Sequence, residues 1–112
     1  MDVKVSSSPF GGQGRTRVLL ALRLLGDSYP RELTRVLEMP LSGVQKALRS
    51  LELDGLVAGR SVGRTRLYQF SPRYFAAEAL FAYLSRLVEP EERLKERTAA
   101  VRRRPRLTGK PL

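Results

Sequence analysis

A change of hydrophobic period at Gly55 constrains the fold of this chain more than any other feature. Before it, apolar residues recur at the spacing of amphipathic helices, with the clearest runs over residues 15–25, 30–37 and 41–54. After it, residues 56–58 and 66–70 have the short apolar pattern of β-strands. Residues 59–65, between them, contain two glycines and two arginines. We therefore predict three helices followed by a β-hairpin with a basic tip.

Prolines mark the boundaries of the second and fourth helices. Pro30 suits the first position of a helix, where a missing N–H costs no hydrogen bond, and Pro40 prevents that helix from continuing. A Ser-Pro pair at residues 71–72 predicts the start of a fourth helix over residues 73–88. A short exposed helix over residues 91–97 follows, because acidic residues occupy its first turn and it has almost no apolar face.

The third predicted helix, over residues 41–54, has an apolar and a polar face on opposite sides. The apolar sector spans about 100° and contains Val44, Ala47, Leu48 and Leu51. The opposite sector contains Ser42, Gln45, Lys46 and Arg49. An α-helix fits the major groove of B-DNA, where amide and cationic side chains pair with base edges. We predict that the polar sector contacts bases, the competing interpretation being an ordinary solvated face.

The charge balance and two missing residue types limit the classes of function. The 112 residues include 21 Lys and Arg, 11 Asp and Glu, and neither His nor Cys, which gives a net charge of +10. Such an excess favours a polyanionic partner, either nucleic acid or an anionic membrane surface. Without His and Cys the usual zinc and copper ligands, the imidazole base and the thiolate nucleophile are missing. We therefore expect no enzyme, no cofactor and no metal site.

The helical segment before Gly55 and the hairpin after it carry a family motif. It consists of Glu-Leu at residues 32–33, a Leu at the end of the second helix, and the run V-x-x-x-L-x-x-L-x-x-x-G-L-V from Val44. Residues 63–68 then read G-R-x-x-x-Y. Over residues 15–88 the chain resembles the bacterial and archaeal ArsR/MarR-like winged helix-turn-helix regulators, whose wings commonly have that last pattern.

The resemblance implies a mostly α-helical fold with a small β-hairpin wing, namely a three-helix core, a two-stranded wing and a C-terminal helix for dimerisation. It implies a homodimeric prokaryotic regulator of transcription that binds double-stranded DNA sequence-specifically. The recognition helix over residues 41–54 lies in the major groove, and the basic wing over residues 59–66 lies on the backbone or in the minor groove.

Two departures from the family pattern affect these expectations. Glu38 stands where the family usually has Gly at the left-handed corner, so we expect a rearranged turn or a longer second helix. Pro40 replaces the usual Ser or Thr near the start of the recognition helix. The Cys-rich metal motif of ArsR-type sensors is missing, which sets metal sensing by that route aside.

Further basic residues accompany the recognition helix. We predict a second group of DNA-contacting residues, which bind the DNA backbone or belong to the wing. These are Arg31, Arg35, Arg60, Arg64, Thr65 and Arg66. Arg64, at the predicted tip, is the best candidate for the minor groove. On the first helix we expect Arg15, Arg17 and Arg23 to be solvated.

The fourth predicted helix is more apolar than one packing surface needs, because its apolar residues sweep about 200°. One side would cover the first helix and the other a second copy of the chain. The predicted dimer interface consists of Leu80, Phe81, Leu84, Leu87 and Val88. Alternatively, the residues around Phe10 fold over the extra face.

We predict a flexible N-terminal segment over residues 1–14, the winged domain over 15–88, and a charged helix with a basic tail over 89–112. The tail cations, which would attract phosphates, are Arg102, Arg103, Arg104, Arg106 and Lys110. No apolar run reaches the roughly 18 residues of a membrane span, so we expect a cytoplasmic, nucleoid-associated protein without a membrane partner.

Two other functions fit the same pattern. A winged helix can serve as a protein-interaction module in a larger nucleic-acid-associated complex, in which only the basic tail contacts nucleic acid. General RNA or chromatin binding is the other. The sequence names neither a target DNA, nor a direction of regulation, nor an effector ligand.

Overall fold

The computed structural model describes residues 10–103 of the 112-residue chain. This part of the chain contains five helices and a three-stranded antiparallel sheet. The elements are α1 (Gln13–Leu25), β1 (Asp27–Ser28), α2 (Pro30–Leu37), α3 (Leu41–Leu53), β2 (Val57–Val62), β3 (Thr65–Phe70), α4 (Ala77–Leu87) and α5 (Glu92–Arg102). α1 thus begins inside the segment over residues 1–14 that we expected to be flexible, and residues 1–9 of that segment lie outside the described part.

The core lies between α1, α2 and α3 and consists almost entirely of Leu, Val and Ala side chains. α3 buries the four residues of its predicted apolar face, and α2 buries Leu33, Val36 and Leu37 at helical spacing. α1 is fully buried over residues 18–22, which is more than one face of a helix. It contacts all four other helices. α1 is therefore the central helix of the domain.

The predicted hairpin is present, but its strands are longer than expected. β2 and β3 stay paired up to Val62 and Thr65, so only Gly63 and Arg64 form the loop. Gly63 has a φ of 61°, the positive value that the first position of a two-residue type II′ turn requires. The expectation of a loop over residues 59–65 is wrong, because a hairpin with one solvent-facing side tolerates polar and Gly residues within its strands.

Pairing of β1 with β3 adds a third strand to the wing, which the sequence pattern does not predict. Asp27 pairs with Gln69 and Ser28 with Tyr68, giving the strand order β1-β3-β2. A strand of two residues is too short to show a period of two. It fixes the base of the hairpin to the segment that joins α1 and α2.

α4 begins at Ala77 and not at residue 73, because residues 71–76 form turns. The hydroxyl oxygen of Ser71 accepts a hydrogen bond from the Arg73 amide at 3.4 Å. The Ala77 amide donates to the Tyr74 carbonyl at 3.0 Å. The Ser-Pro pair therefore starts a turn here, as the same residues also do outside helices.

α5 packs against α1 and α2, so the prediction of an exposed helix is wrong. Leu94 is 1% exposed and Thr98 is 4% exposed, while Val101 is half-buried. One leucine, one threonine and one valine form too weak an apolar stripe for the sequence pattern to reveal. Arg102 belongs to α5 and not to a tail, and residues 104–112 lie outside the described part. None of the helices in residues 10–103 is long and apolar enough to cross a membrane.

Candidate nucleic-acid interface

α3 presents the polar face that the sequence predicts. Its exposed polar side chains are those of Ser42, Gln45, Lys46 and Arg49, whereas the four apolar residues of the opposite face are at most 6% exposed. Among residues 10–103, no ion pair or side-chain hydrogen bond engages these four polar side chains. The polar face of α3 is therefore available to an external partner over its whole length.

The turn between α2 and α3 has the left-handed geometry of a helix-turn-helix corner, even though Glu38 occupies it. Glu38 has φ 54° and ψ 44°, and no other non-Gly residue in the described part has a positive φ. The Met39 amide donates to the Thr34 carbonyl at 3.3 Å, and Pro40 leads into α3 in an extended conformation. Neither a rearranged turn nor a longer α2 is present, which corrects both expectations. The left-handed conformation costs roughly 1–2 kcal/mol for a residue with a Cβ atom, so neighbouring contacts have to offset it.

On the wing, the side chains of Arg60 and Arg64 are exposed, whereas that of Thr65 is not. Arg64 lies in the two-residue loop at the tip, and Arg60 lies on β2. No ion pair within residues 10–103 engages either side chain. Thr65, which pairs with Val62 at the end of the hairpin, is half-buried. The tip of the wing thus offers two cations to a partner.

Arg66 is held against its own chain, which does not fit its predicted role in contacting DNA. Its Nη2 lies 2.7 Å from a carboxylate oxygen of Glu52 near the end of α3, and its guanidinium lies 5.7 Å from the ring centre of Tyr68. The hydrogen bond to Glu52, together with that negative charge, raises the pKa of Arg66 above its ordinary value. A Cβ atom on Gly59 would lie 2.6 Å from Arg66 Nε and 2.9 Å from a ring carbon of Tyr68. Glycine therefore leaves the space that the two side chains fill.

The arginines of α1 are not solvated, contrary to expectation. Arg15 forms an ion pair of 2.7 Å with Asp54 at the end of α3. Arg23 lies over the ring of Phe81, with its guanidinium carbon 4.0 Å from the ring centre. Arg17 is half-buried. Arg15 and Arg23 thus connect α1 to α3 and α4, so they serve the fold.

A surface of unpaired cations follows α2, α3 and the wing. It consists of Arg31, Arg35, Lys46, Arg49, Arg60 and Arg64, all exposed and all without an ion pair or side-chain hydrogen bond in residues 10–103. We call these six residues the cationic surface. Outside it, the exposed cations of the described part that also lack such a partner are Arg73, Arg86 and Arg103. Because α3 packs directly on both α2 and β2, the three elements that carry the cationic surface are neighbours.

Most residues predicted to form a dimer interface contribute to the core of the same chain. Leu84 and Val88 are 0% and 7% exposed, and Leu80 and Leu87 are half-buried against that core. Phe81 is 43% exposed but carries Arg23 on its ring. Leu84 therefore has no exposed surface that a second copy could contact, which corrects the prediction for this residue.

The wide apolar arc of α4 is used within the chain because three neighbours cover it. α1 packs against one side of α4. On the other side the Phe70 ring, at the end of β3, meets Phe81 edge-on at 5.8 Å between ring centres. Phe10 lies 6.0 Å from Tyr83, so a residue before α1 covers part of the remaining face. This is the alternative that the sequence left open.

The outward face of α4 carries mainly small or charged side chains. Its exposed residues are Glu78, Ala79, Ala82, Tyr83 and Arg86. Phe75, in the turn before α4, is 93% exposed. Between this turn, the base of the wing and α4 lies an open apolar cavity of about 470 Å³, whose lining includes Phe70, Pro72 and Phe81. Within residues 10–103, no three acidic residues lie together in a group suited to holding a metal ion.

Comparison with protein-family models and with curated protein sequences finds no match. Among solved structures, the chain is similar to the adhesin competence repressor AdcR from Streptococcus pyogenes, with 16% identity, a TM-score of 0.54, and 81% of this chain and 66% of that chain covered. It is also similar to a cysteine-to-serine variant of ZitR from Lactococcus lactis, with 16% identity, a TM-score of 0.57, and coverage of 94% of this chain and 70% of that chain. The chain spans about two thirds of the length of these structures. The likeness confirms the predicted winged-helix fold.

Proposed function

We propose that this chain regulates transcription by binding double-stranded DNA sequence-specifically, with α3 in the major groove and the wing beside it. The observation that carries the proposal is the cationic surface. Its six residues lie on the two helices and the hairpin that a winged helix-turn-helix module presents to DNA, and they are unpaired, whereas the arginines of α1 and Arg66 are engaged. The similarity in fold to a protein named as a repressor supports the same function.

The polar face of α3 is the part of this surface that we assign to base readout. Gln45 can pair bidentately with adenine, and Lys46 or Arg49 with guanine, each good pair being worth about 1–3 kcal/mol of discrimination. Ser42, one residue into α3, is placed to contact either a base or a phosphate. Because all four are exposed on rigid helix, the sequence preference of the protein should depend on them.

The remaining cations of the surface are assigned to the DNA backbone. Arg31 and Arg35 lie on α2, and Arg60 and Arg64 lie on the wing. Contacts from them to phosphates set the register of the protein on the duplex and carry no sequence information. Arg64, in the loop at the tip, can also enter the minor groove.

We further propose a homodimer in which α4 pairs with α4 of a second copy around a two-fold axis near Ala82. The alanines of the outward face allow close approach of the two helices. In an antiparallel pair centred on Ala82, Glu78 of one copy lies opposite Arg86 of the other, because each is four residues from the centre. Both residues are exposed, and the opposite charges favour this arrangement. The dimer would also cover the apolar cavity, since Glu78 and Ala82 line it.

Binding-site selection on random duplex DNA at physiological salt tests the DNA-binding proposal. We expect a two-fold symmetric motif. The variant Arg49→Ala should lose preference for the selected motif, whereas Arg64→Ala should weaken binding to all duplexes alike. Arg64→Ala should also reduce the magnitude of the slope of log K against log salt by about 0.9 for each phosphate that the protein no longer neutralises. Arg73→Ala is the matched control, because Arg73 is exposed, lies in the turn after β3 and should leave binding unchanged.

Equal losses on selected and random DNA for Arg49→Ala and Arg64→Ala would contradict base readout by α3. Selection that enriches no motif, or stronger binding to duplex RNA than to duplex DNA in competition, would contradict the function itself.

Charge reversal tests the dimer. Sedimentation should show that Glu78→Arg alone weakens the dimer, because like charges then face each other across the axis. Combining Glu78→Arg with Arg86→Glu should restore it. A monomeric wild-type chain at micromolar concentration, or a double variant no better than the single one, would refute this interface.

A further inference from the structure

α5 caps the end of α2 with an arginine. Arg97 Nε donates a hydrogen bond to the Val36 carbonyl at 2.8 Å, and its Nη2 donates to the carbonyl of Arg35. Both carbonyls belong to the last turn of α2, where helix carbonyls have no donor within the helix. A cation at this position also interacts favourably with the helix dipole. Arg97 therefore adds a side-chain cap to the backbone cap that already ends α2 at Glu38 and Met39.

The same helix contacts the side chain of the corner residue. Arg93 lies 3.3 Å and Arg97 lies 3.7 Å from carboxylate oxygens of Glu38. Glu38 is the residue in the disfavoured left-handed conformation. Two arginines thus engage both the carboxylate of the corner residue and the carbonyls immediately before it, and these contacts oppose relaxation of the corner.

A third arginine of α5 holds the other end of α2. Arg102 donates to the Leu25 carbonyl at the end of α1 at 3.1 Å and pairs with Glu32, in the first turn of α2, at 3.1 Å. Glu32 is only 5% exposed and also accepts a hydrogen bond of 2.7 Å from the Ser28 hydroxyl. With Leu94 buried against α1 and α2, the helix α5 contacts α2 at both of its ends.

We propose that α5 positions the recognition helix, with Arg97 and Arg93 as positioning residues that hold Glu38 in its left-handed conformation. α3 begins three residues after Glu38, so the φ and ψ angles at this corner set the angle between α2 and α3. When Arg97 is removed, Glu38 leaves the left-handed conformation and the orientation of α3 relative to the wing changes. The consequence for DNA binding rests on the proposed function, whereas the effect on the corner does not.

Replacing Glu38 by Gly separates this role from a general contribution to stability. Glycine adopts a positive φ at no steric cost, so a Gly corner does not need the contacts from α5. We expect Arg97→Ala to weaken DNA binding about tenfold, which corresponds to the penalty of one left-handed residue. The combination of Glu38→Gly with Arg97→Ala should recover most of that loss.

The experiment measures amide hydrogen exchange and DNA binding for the full chain and its variants, below the melting temperature of each. Arg97→Ala should accelerate exchange of the Met39 amide, which closes α2 on Thr34, and the double variant should restore slow exchange. Binding should weaken with an unchanged salt slope, because Arg97 touches no phosphate. Glu96→Ala, on the exposed face of the same helix, should change neither measurement. If Arg97→Ala folds poorly, Arg97→Lys keeps the charge near Glu38, loses the planar donor fork and should give an intermediate effect.

Three results would overturn the inference. The first is Met39 exchange that does not differ between Arg97→Ala and Glu96→Ala. The second is a reduced salt slope for Arg97→Ala, which would make Arg97 a phosphate contact. The third is a double variant no better than Arg97→Ala, which would make the loss a general one. If the wild-type chain does not bind duplex DNA, the proposed function fails, and the exchange measurement alone still decides whether α5 holds the corner.

Discussion

Truncation of Leu94 to Ala tests whether α5 is an integral part of the fold. Leu94 is 1% exposed and is the one apolar side chain that α5 buries fully. Truncating a buried leucine to alanine costs about 2–5 kcal/mol, depending on how far the surroundings collapse into the space. α5 packs on α1 and α2. It can move toward these helices and fill part of the space that the truncation leaves. We therefore expect a loss of about 2–3 kcal/mol in the free energy of unfolding, in the lower part of that range.

Urea denaturation followed by circular dichroism measures this loss. With an m value of about 1–2 kcal/mol per M for a small domain, the midpoint should fall by about 1–3 M. Glu96→Ala is the matched control, because Glu96 is exposed on the same helix and alanine keeps the helix propensity. The control should change the free energy of unfolding by less than about 0.5 kcal/mol.

Equal midpoints for the two variants would refute the packing of α5 on α1 and α2. A wild-type transition that splits into two phases, with Leu94→Ala affecting only the first, would also contradict it. In that case α5 would unfold as a separate unit and could not hold the corner before α3.

Three further predictions concern the wing, α1 and the tail. Gly59→Ala should destabilise the chain by about 1–3 kcal/mol, because the added Cβ atom overlaps the Arg66 and Tyr68 side chains; Ser61→Ala on the same strand is the control, and an equal melting temperature for both would contradict the overlap. Arg23→Ala should lower the free energy of unfolding by about 1 kcal/mol through loss of its packing on Phe81, measured by urea denaturation, whereas Arg73→Ala, at an exposed arginine in the turn after β3, should lower it by less than half as much. Removing residues 104–112 leaves the Arg102 contacts in place, so it should reduce DNA affinity and salt slope but keep the sequence preference; complete loss of binding would favour the alternative in which only the tail contacts nucleic acid.

The parts of the fold that the sequence predicts well are those with a local cause. The two faces of α3 follow from residue spacing, and Pro30, Pro40 and Gly55 mark helix ends through their own backbone preferences. The hairpin follows from the change to strand-like composition after Gly55. Each of these signals acts within a few residues, so no knowledge of the tertiary structure is required.

The features that sequence reasoning missed depend on distant partners. Arg23 meets Ser85, 62 residues away, and Arg102 meets the Leu25 carbonyl, 77 residues away. An arginine that caps a helix has the same local sequence as a solvated one, so its role is decided only by packing. The same holds for Leu84, which lies in the core of its own chain and has no exposed surface for a second copy.

The division of arginines between the fold and the cationic surface changes what the net charge of +10 means. An arginine paired with a carboxylate contributes little net field, whereas an unpaired one contributes the field of a full charge within the Debye length of about 8 Å at physiological ionic strength. In the described part, Arg15, Arg66, Arg93, Arg97 and Arg102 are paired. The field of residues 10–103 is therefore strongest at α2, α3 and the wing. A polyanion approaching the protein would be oriented toward these elements before any base is read. In the proposed DNA complex, the polar face of α3 offers four side chains for base readout, and contacts to phosphates would supply the register that those few contacts need.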